Sequence, residues 1–106
     1  MPRNRKRAEE LYRCSEACRA SLLLMGKIGA LEDDMFTVDA CSRICGFLAG
    51  SIIEGTATAP MEIETARTLR KAGSLLARSR ASYCKTVAES CLHLAAVCEA
   101  VERETA

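Results

Sequence analysis

The stretch from Tyr83 to Val101, YCKTVAESCLHLAAVCEAV, sets Cys84, Val87, Cys91, Leu94, Cys98 and Val101 at alternating steps of three and four residues. That spacing draws one narrow seam along an α-helix, and such a seam has to be buried against other helices. Three of its six positions are thiols. Apolar packing alone gives no reason to prefer sulfur to a branched aliphatic side chain at each, so the same residues raise the question of fold and the question of chemistry.

The rhythm recurs along the chain. From Lys6 to about Ile28, the residues Leu11, Cys14, Cys18, Ser21, Met25 and Ile28 share one helical face, with Glu9, Glu10, Arg13, Glu16 and Arg19 around the rest. Gly26 and Gly29 weaken the end of this first helix, and the acids within Leu31 to Asp34 suit the start of a second. The second is expected from about Asp34 to Glu54, with Val38, Cys41, Cys45, Leu48 and Ile52 on its seam and Gly55 as its stop. Thr58 as cap and Pro60 in the first turn open a third helix to about Arg78. Its seam holds Ala66, Leu69, Gly73 and Leu76, flanked by Ile63 and Ala72, and it carries no cysteine. Small residues there suit close, dry packing. Ser82 is the expected cap of a fourth helix starting at Tyr83, although Ser79 to Ser82 holds neither Pro nor Gly, so a third helix running straight into the fourth is the competing reading. No segment reads as a strand. Four amphipathic helices with short connections predict an all-α, up-down-up-down antiparallel four-helix bundle, one domain over residues 1–106.

Composition narrows the partners. A net charge of +1 gives no global attraction for nucleic acid. The basic run Arg3, Arg5, Lys6 and Arg7 lacks interleaved aromatics and is followed by Glu9 and Glu10 rather than by an apolar segment, so it reads as a solvated helix start, with no nucleic-acid partner and no export signal. The most apolar runs, Leu22 to Met25 and Phe47 to Ile53, are short and interrupted, so no stretch that spans a bilayer and no membrane partner is expected. An unexported, cytoplasmic chain keeps its thiols reduced, and seven cysteines cannot all pair within one chain. There is no GxSxG, HExxH or CxxC motif and no phosphate-cradling glycine loop, and His93, off the seam, is badly placed as a base for any thiol. The chain reads as not an enzyme.

Cys14 with Cys18 and Cys41 with Cys45 form two CxxxC pairs, and a four-residue step on a helix brings side chains about 5–6 Å apart on one face. Soft sulfur donors select Cu(I) or Zn(II). Cu(I) accepts the low coordination number a pair offers, whereas a closed Zn(II) site wants four ligands, so Cu(I) is the better match. Counting about 1.5 Å per residue from the end with the first and third connections puts Cys41 level with Cys91, Cys45 near Cys18 and Cys14 near Cys98, and leaves Cys84 without a level partner. Met25 could lend a thioether or simply fill the core. The plain alternative is that all seven are small buried hydrophobes.

With the two CxxxC pairs and the last helix read together, the chain resembles the cysteine-rich four-helix-bundle copper-binding proteins, the copper storage family. In that family the last helix looks like HCxxCAxxCxxCAxxC, and Tyr83, Cys84, Val87, Ala88, Cys91, Leu94, Ala95 and Cys98 fall on those positions in register. Cys41, Ser42, Ile44 and Cys45 echo the family's CADIC-like second helix. The resemblance implies a bundle lined with Cys14, Cys18, Cys41, Cys45, Cys84, Cys91 and Cys98 that binds Cu(I) and stores or buffers it. Val87 and Leu94 stand where the family has thiols, and Leu69, Ala72 and Leu76 occupy plausible ligand positions on the third helix, which implies a lower capacity. Cys91 and Cys98 carry the strongest case as ligands and Cys84 the weakest.

Two non-metal readings stand beside it. One is a twin-CxxxC hairpin of chaperone type, cross-linked by disulfides, although Cys18 to Cys41 is a long gap and the last three cysteines go unused. The other is a bundle serving as an interaction scaffold. Outward apolar residues such as Leu23, Phe47 and Leu75 leave room for a homo-oligomer.

Overall fold

The computed structural model describes the backbone of residues 2–30, 32–79 and 82–105 and the side chains of 4–30, 32–79 and 84–100. It contains four helices, α1 (Pro2–Ile28), α2 (Glu32–Glu54), α3 (Ala59–Ala77) and α4 (Ser82–Thr105), and no strand among the described residues. The expected Ser82 cap and the seam position of Val101 lie outside the described side chains.

The ends follow from local chemistry. Gly29 (φ 68°) and Gly55 (φ 76°) take the left-handed conformation that closes α1 and α2, and the next residues, Ala30 and Thr56, donate back to Met25 O at 3.0 Å and Ser51 O at 2.8 Å. Thr58 caps α3 by accepting from the Met61 amide, with Pro60 in the first turn. The straight-through reading of α3 and α4 does not hold. α3 stops at Ala77, and the amides of Arg78 and Ser79 turn back to Leu75 O and Leu76 O, so the chain leaves the helix without needing Gly or Pro.

Contacts between helices set the topology. Arg7, early in α1, meets Glu62, early in α3. Asp34, early in α2, meets Cys84, early in α4. Ser15 of α1 meets Ser42 of α2 near the middle of both. Thus α1 and α3 start at one end and α2 and α4 at the other, the up-down-up-down arrangement. The longest dimension is 41 Å, about the length of 27 helical residues, so α1 alone spans the molecule. α1 packs chiefly on α2 and α3 on α4, and the two hairpins meet more sparsely, α1 touching α4 and α2 touching α3.

The predicted seams are the core except toward the ends of α1 and α2, where Ile28 is exposed and Ser21 and Ile52 are half-buried, because the last turns run past the neighbouring helices. Leu11, Cys14, Cys18 and Met25 of α1, Val38, Cys41, Cys45 and Leu48 of α2, Ala66, Leu69, Ala72 and Leu76 of α3, and Cys84, Val87, Cys91, Leu94 and Cys98 of α4 are all buried. Gly73 permits the closest approach, since a Cβ there would stand 2.7 Å from Leu92 Cγ and 3.2 Å from the Ala88 carbonyl oxygen. Gly73→Ala is therefore expected to lose about 1–2 kcal/mol despite the better helix propensity of alanine, measured as a lower denaturant midpoint with unchanged slope.

Two expectations are corrected. α2 is long and apolar enough, by length and composition, to cross a bilayer. Its glycines and serines interrupt the apolar runs without offsetting their neighbours. In this fold its cysteine face is buried in the bundle, while Phe36 and Phe47 face outward. The basic start of α1 is not wholly solvated either. Arg7 is buried, because Glu62 meets it from α3, and so α3 is not purely apolar.

Candidate metal centre

Serines beside the cysteines bring the two CxxxC pairs together. Ser15 Oγ donates to Ser42 O at 2.8 Å and Ser42 Oγ donates to Ser15 O at 3.0 Å, all of it buried. This reciprocal clamp fixes the register of α1 against α2 and satisfies both hydroxyls, which would otherwise be costly to bury. Cys14 precedes Ser15 and Cys41 precedes Ser42, so the clamp sets the pairs side by side.

Cys91 joins them from α4. The sulfurs of Cys14, Cys18 and Cys91 lie within 4.8 Å of one another. Cys45 and Cys14 lie close enough to shift each other's proton affinity, and Cys41 lies close enough to raise that of Cys91, so five thiols from three helices draw together. All seven cysteines are free thiols. A soft ion about 2.3 Å from each of three sulfurs needs them about 4 Å apart, within small side-chain movements of what is present.

Cys14, Cys18, Cys45 and Cys91 titrate as a unit. Cys14 is held well below the ordinary thiol range because Cys18, Cys45 and Cys91 hydrogen-bond to its sulfur, which outweighs its burial. Cys18 and Cys45 are pushed up, first by their hydrogen bonds to Cys14 and then by burial. Cys91 is pushed up by its bonds to Cys14, Cys18 and Cys41. The cluster thus holds one readily formed thiolate surrounded by thiols whose protons a metal cation would displace.

The remaining thiols stand apart. Seven residues on either side of Cys91 put Cys84 and Cys98 about 10 Å away along α4. Cys84 donates to Asp34 Oδ2 at 3.7 Å and is pushed up chiefly by burial. Cys98 lies between Arg7 and Glu62, whose side chains are over nine-tenths buried and form a tight ion pair, Nη1 to Oε1 2.6 Å and to Oε2 2.7 Å. The expected levelling of Cys14 with Cys98 does not occur, since Cys14 meets Cys91 instead. The clamp is the reason. Ser15 lies 13 residues before the end of α1 and Ser42 only 10 after the start of α2, so α1 overhangs by about a turn. Met25 is fully buried, seven residues from Cys18 and so outside the cluster.

Burial, then the charge of Glu62, push the Cys98 thiol up to about 11 from the usual 9.0, with Arg7 opposing. The folded chain therefore keeps a proton that the unfolded chain gives up between those values. Its stabilising contribution, about 2 kcal/mol, is complete below pH 9 and lost as pH rises to 11. Denaturant unfolding at pH 8 and 11 should show that loss, and Cys98→Ala should flatten the dependence whatever it does to stability at pH 8.

Ser15, Ser42, Arg7 and Glu62 were not anticipated as parts of the site. His93 is exposed, and it lines a surface pocket with Cys14, Glu10, Arg13, Ala17, Ser90 and Leu94. It is thus nearer a thiol than its place off the seam suggests. Compared with family models, curated proteins and solved structures, the chain matches none.

Proposed function

We propose that the protein binds Cu(I) in the thiol cluster of Cys14, Cys18, Cys41, Cys45 and Cys91 and serves as a small store or buffer for it. The observation that carries this is the three-sulfur group within 4.8 Å, buried and joined by two further thiols. Sulfur-only coordination at low coordination number suits Cu(I) best. The resemblance to the copper storage family points the same way. The role is one of binding rather than catalysis, in a compartment reducing enough to keep the thiols free, such as the cytoplasm.

Anaerobic titration of the reduced protein with Cu(I) held by a chromophoric chelator tests the reading. Copper should leave the chelator, and a thiolate-to-copper absorption should grow in the ultraviolet. No withdrawal of copper would reduce the protein to a helical scaffold. Zn(II) is the second reading, because Cys45, close enough to Cys14 for the two to shift each other's proton affinity, offers a fourth sulfur. It predicts that Zn(II), at equal free concentration, excludes Cu(I) from the cluster.

A further inference from the structure

We propose that the groove between α1 and α4 over Cys14 is the port through which a small zwitterionic thiol of amino-acid type hands Cu(I) to the cluster and takes it back. The inference rests on the cluster reading and adds the route and the carrier.

The cluster is sealed almost everywhere. Cys41, Cys45 and Cys91 are 0% exposed and Cys18 is 1% exposed, whereas Cys14 retains 5%. Cys14 is also the one member of the cluster that lines a described pocket, of about 300 Å³, with buried Leu94 beside it and Glu10, Arg13, Ala17, Ser90 and His93 around it. That volume is at the small end of ligand sites, enough for a small molecule in place of about ten waters. The pocket also opens where the two hairpins meet sparsely.

Its lining specifies the visitor. Arg13 offers a guanidinium for a carboxylate, and Glu10 offers a carboxylate for an ammonium group. A carrier holding both groups and a thiol would thus face Cys14 with its sulfur inward. His93 supplies a nitrogen donor on the wall, able to hold the ion while sulfurs exchange. In the transfer, the bond from copper to the carrier's sulfur breaks as a bond to Cys14 Sγ forms. The carrier's departing thiolate takes up the proton released as Cys18 or Cys91 becomes a ligand in turn, and copper remains Cu(I) throughout. From Cys14 the ion has Cys18, Cys45 and Cys91 within reach.

Stopped-flow transfer from preformed Cu(I)–glutathione is the test. Ala17 is exposed, so Ala17→Trp fills the pocket from outside the core. It should slow uptake at least about tenfold while leaving the copper bound at equilibrium at the wild-type level, and Arg13→Glu should raise the glutathione-complex concentration needed for half-maximal rate. Uptake as fast as wild type in a folded Ala17→Trp protein overturns the port. Alkylation of the metal-free protein by iodoacetamide, read by peptide mapping, keeps the route testable if no copper binds at all. Cys14 should react first of the seven thiols and slow in Ala17→Trp and in the milder Ala17→Leu. Labelling that begins at Cys84 or Cys98 overturns the route, whereas failure of copper uptake with Cys14 still reacting first would indict the cluster reading alone.

Discussion

Cys91→Ser is expected to weaken Cu(I) binding by about a hundredfold or more, because Cys91 is the one member of the three-sulfur group that comes from the second hairpin, closing the group with Cys14 and Cys18 of α1. Loss of a residue that merely supports a metal ligand already costs about 10–100-fold, and a ligand shared across helices should reach or exceed that range. Competition against a chromophoric chelator measures it, with circular dichroism to show that the bundle remains. Cys98→Ser supplies the contrast. Its thiol sits beside the Arg7 guanidinium, whose positive charge disfavours a metal cation there. Affinity should change by less than about threefold. Equal losses in the two variants would mean that the cluster extends to Cys98.

The largest effect on stability is expected at the other end of the molecule. Arg7→Met leaves the Glu62 carboxylate buried and unpaired, which costs about 3–5 kcal/mol. A domain of this size has roughly twice that in total, so the melting temperature should fall by about 15–25 °C. The double replacement Arg7→Met with Glu62→Met should recover most of the loss, since an apolar pair of similar volume is often as stable as the ion pair. A single replacement that costs under about 1 kcal/mol would show the pair to be solvated. Arg7 Nε has no hydrogen-bond partner in its buried place, so the pair carries an uncompensated polar atom that the double replacement removes.

Three-four spacing made the bundle legible because the seams consist of residues that have to leave water, and helix geometry turns that requirement directly into a pattern. It made the thiols legible for the same reason. It did not reveal their register. Register here is set by Ser15, Ser42 and the Arg7–Glu62 pair, polar groups that a periodicity argument assigns to the solvent side. A signal was nevertheless present. Stepping the first three seams back by one interval lands on Arg7 before Leu11, on Asp34 before Val38 and on Glu62 before Ala66. A charge at the head of a seam needs a partner from another helix, and all three have one: Arg7 and Glu62 each other, Asp34 the Cys84 thiol. The serines were visible as the residue after a cysteine in both CxxxC helices, but hydroxyls that bond across a helix pair are indistinguishable, in sequence, from hydroxyls that face water.

Four of the five clustered thiols belong to the first hairpin, and Cys91 alone comes from the second. An ion shared by Cys14, Cys18 and Cys91 therefore bolts together two halves that meet over thin interfaces, and it binds only where those halves are docked. Metal loading then becomes a mechanical property of the protein. The filled chain should resist hairpin separation by an amount that grows with the logarithm of free copper above its dissociation constant, while the empty chain can part along α1 and α4, beside Cys14, without first breaking either hairpin.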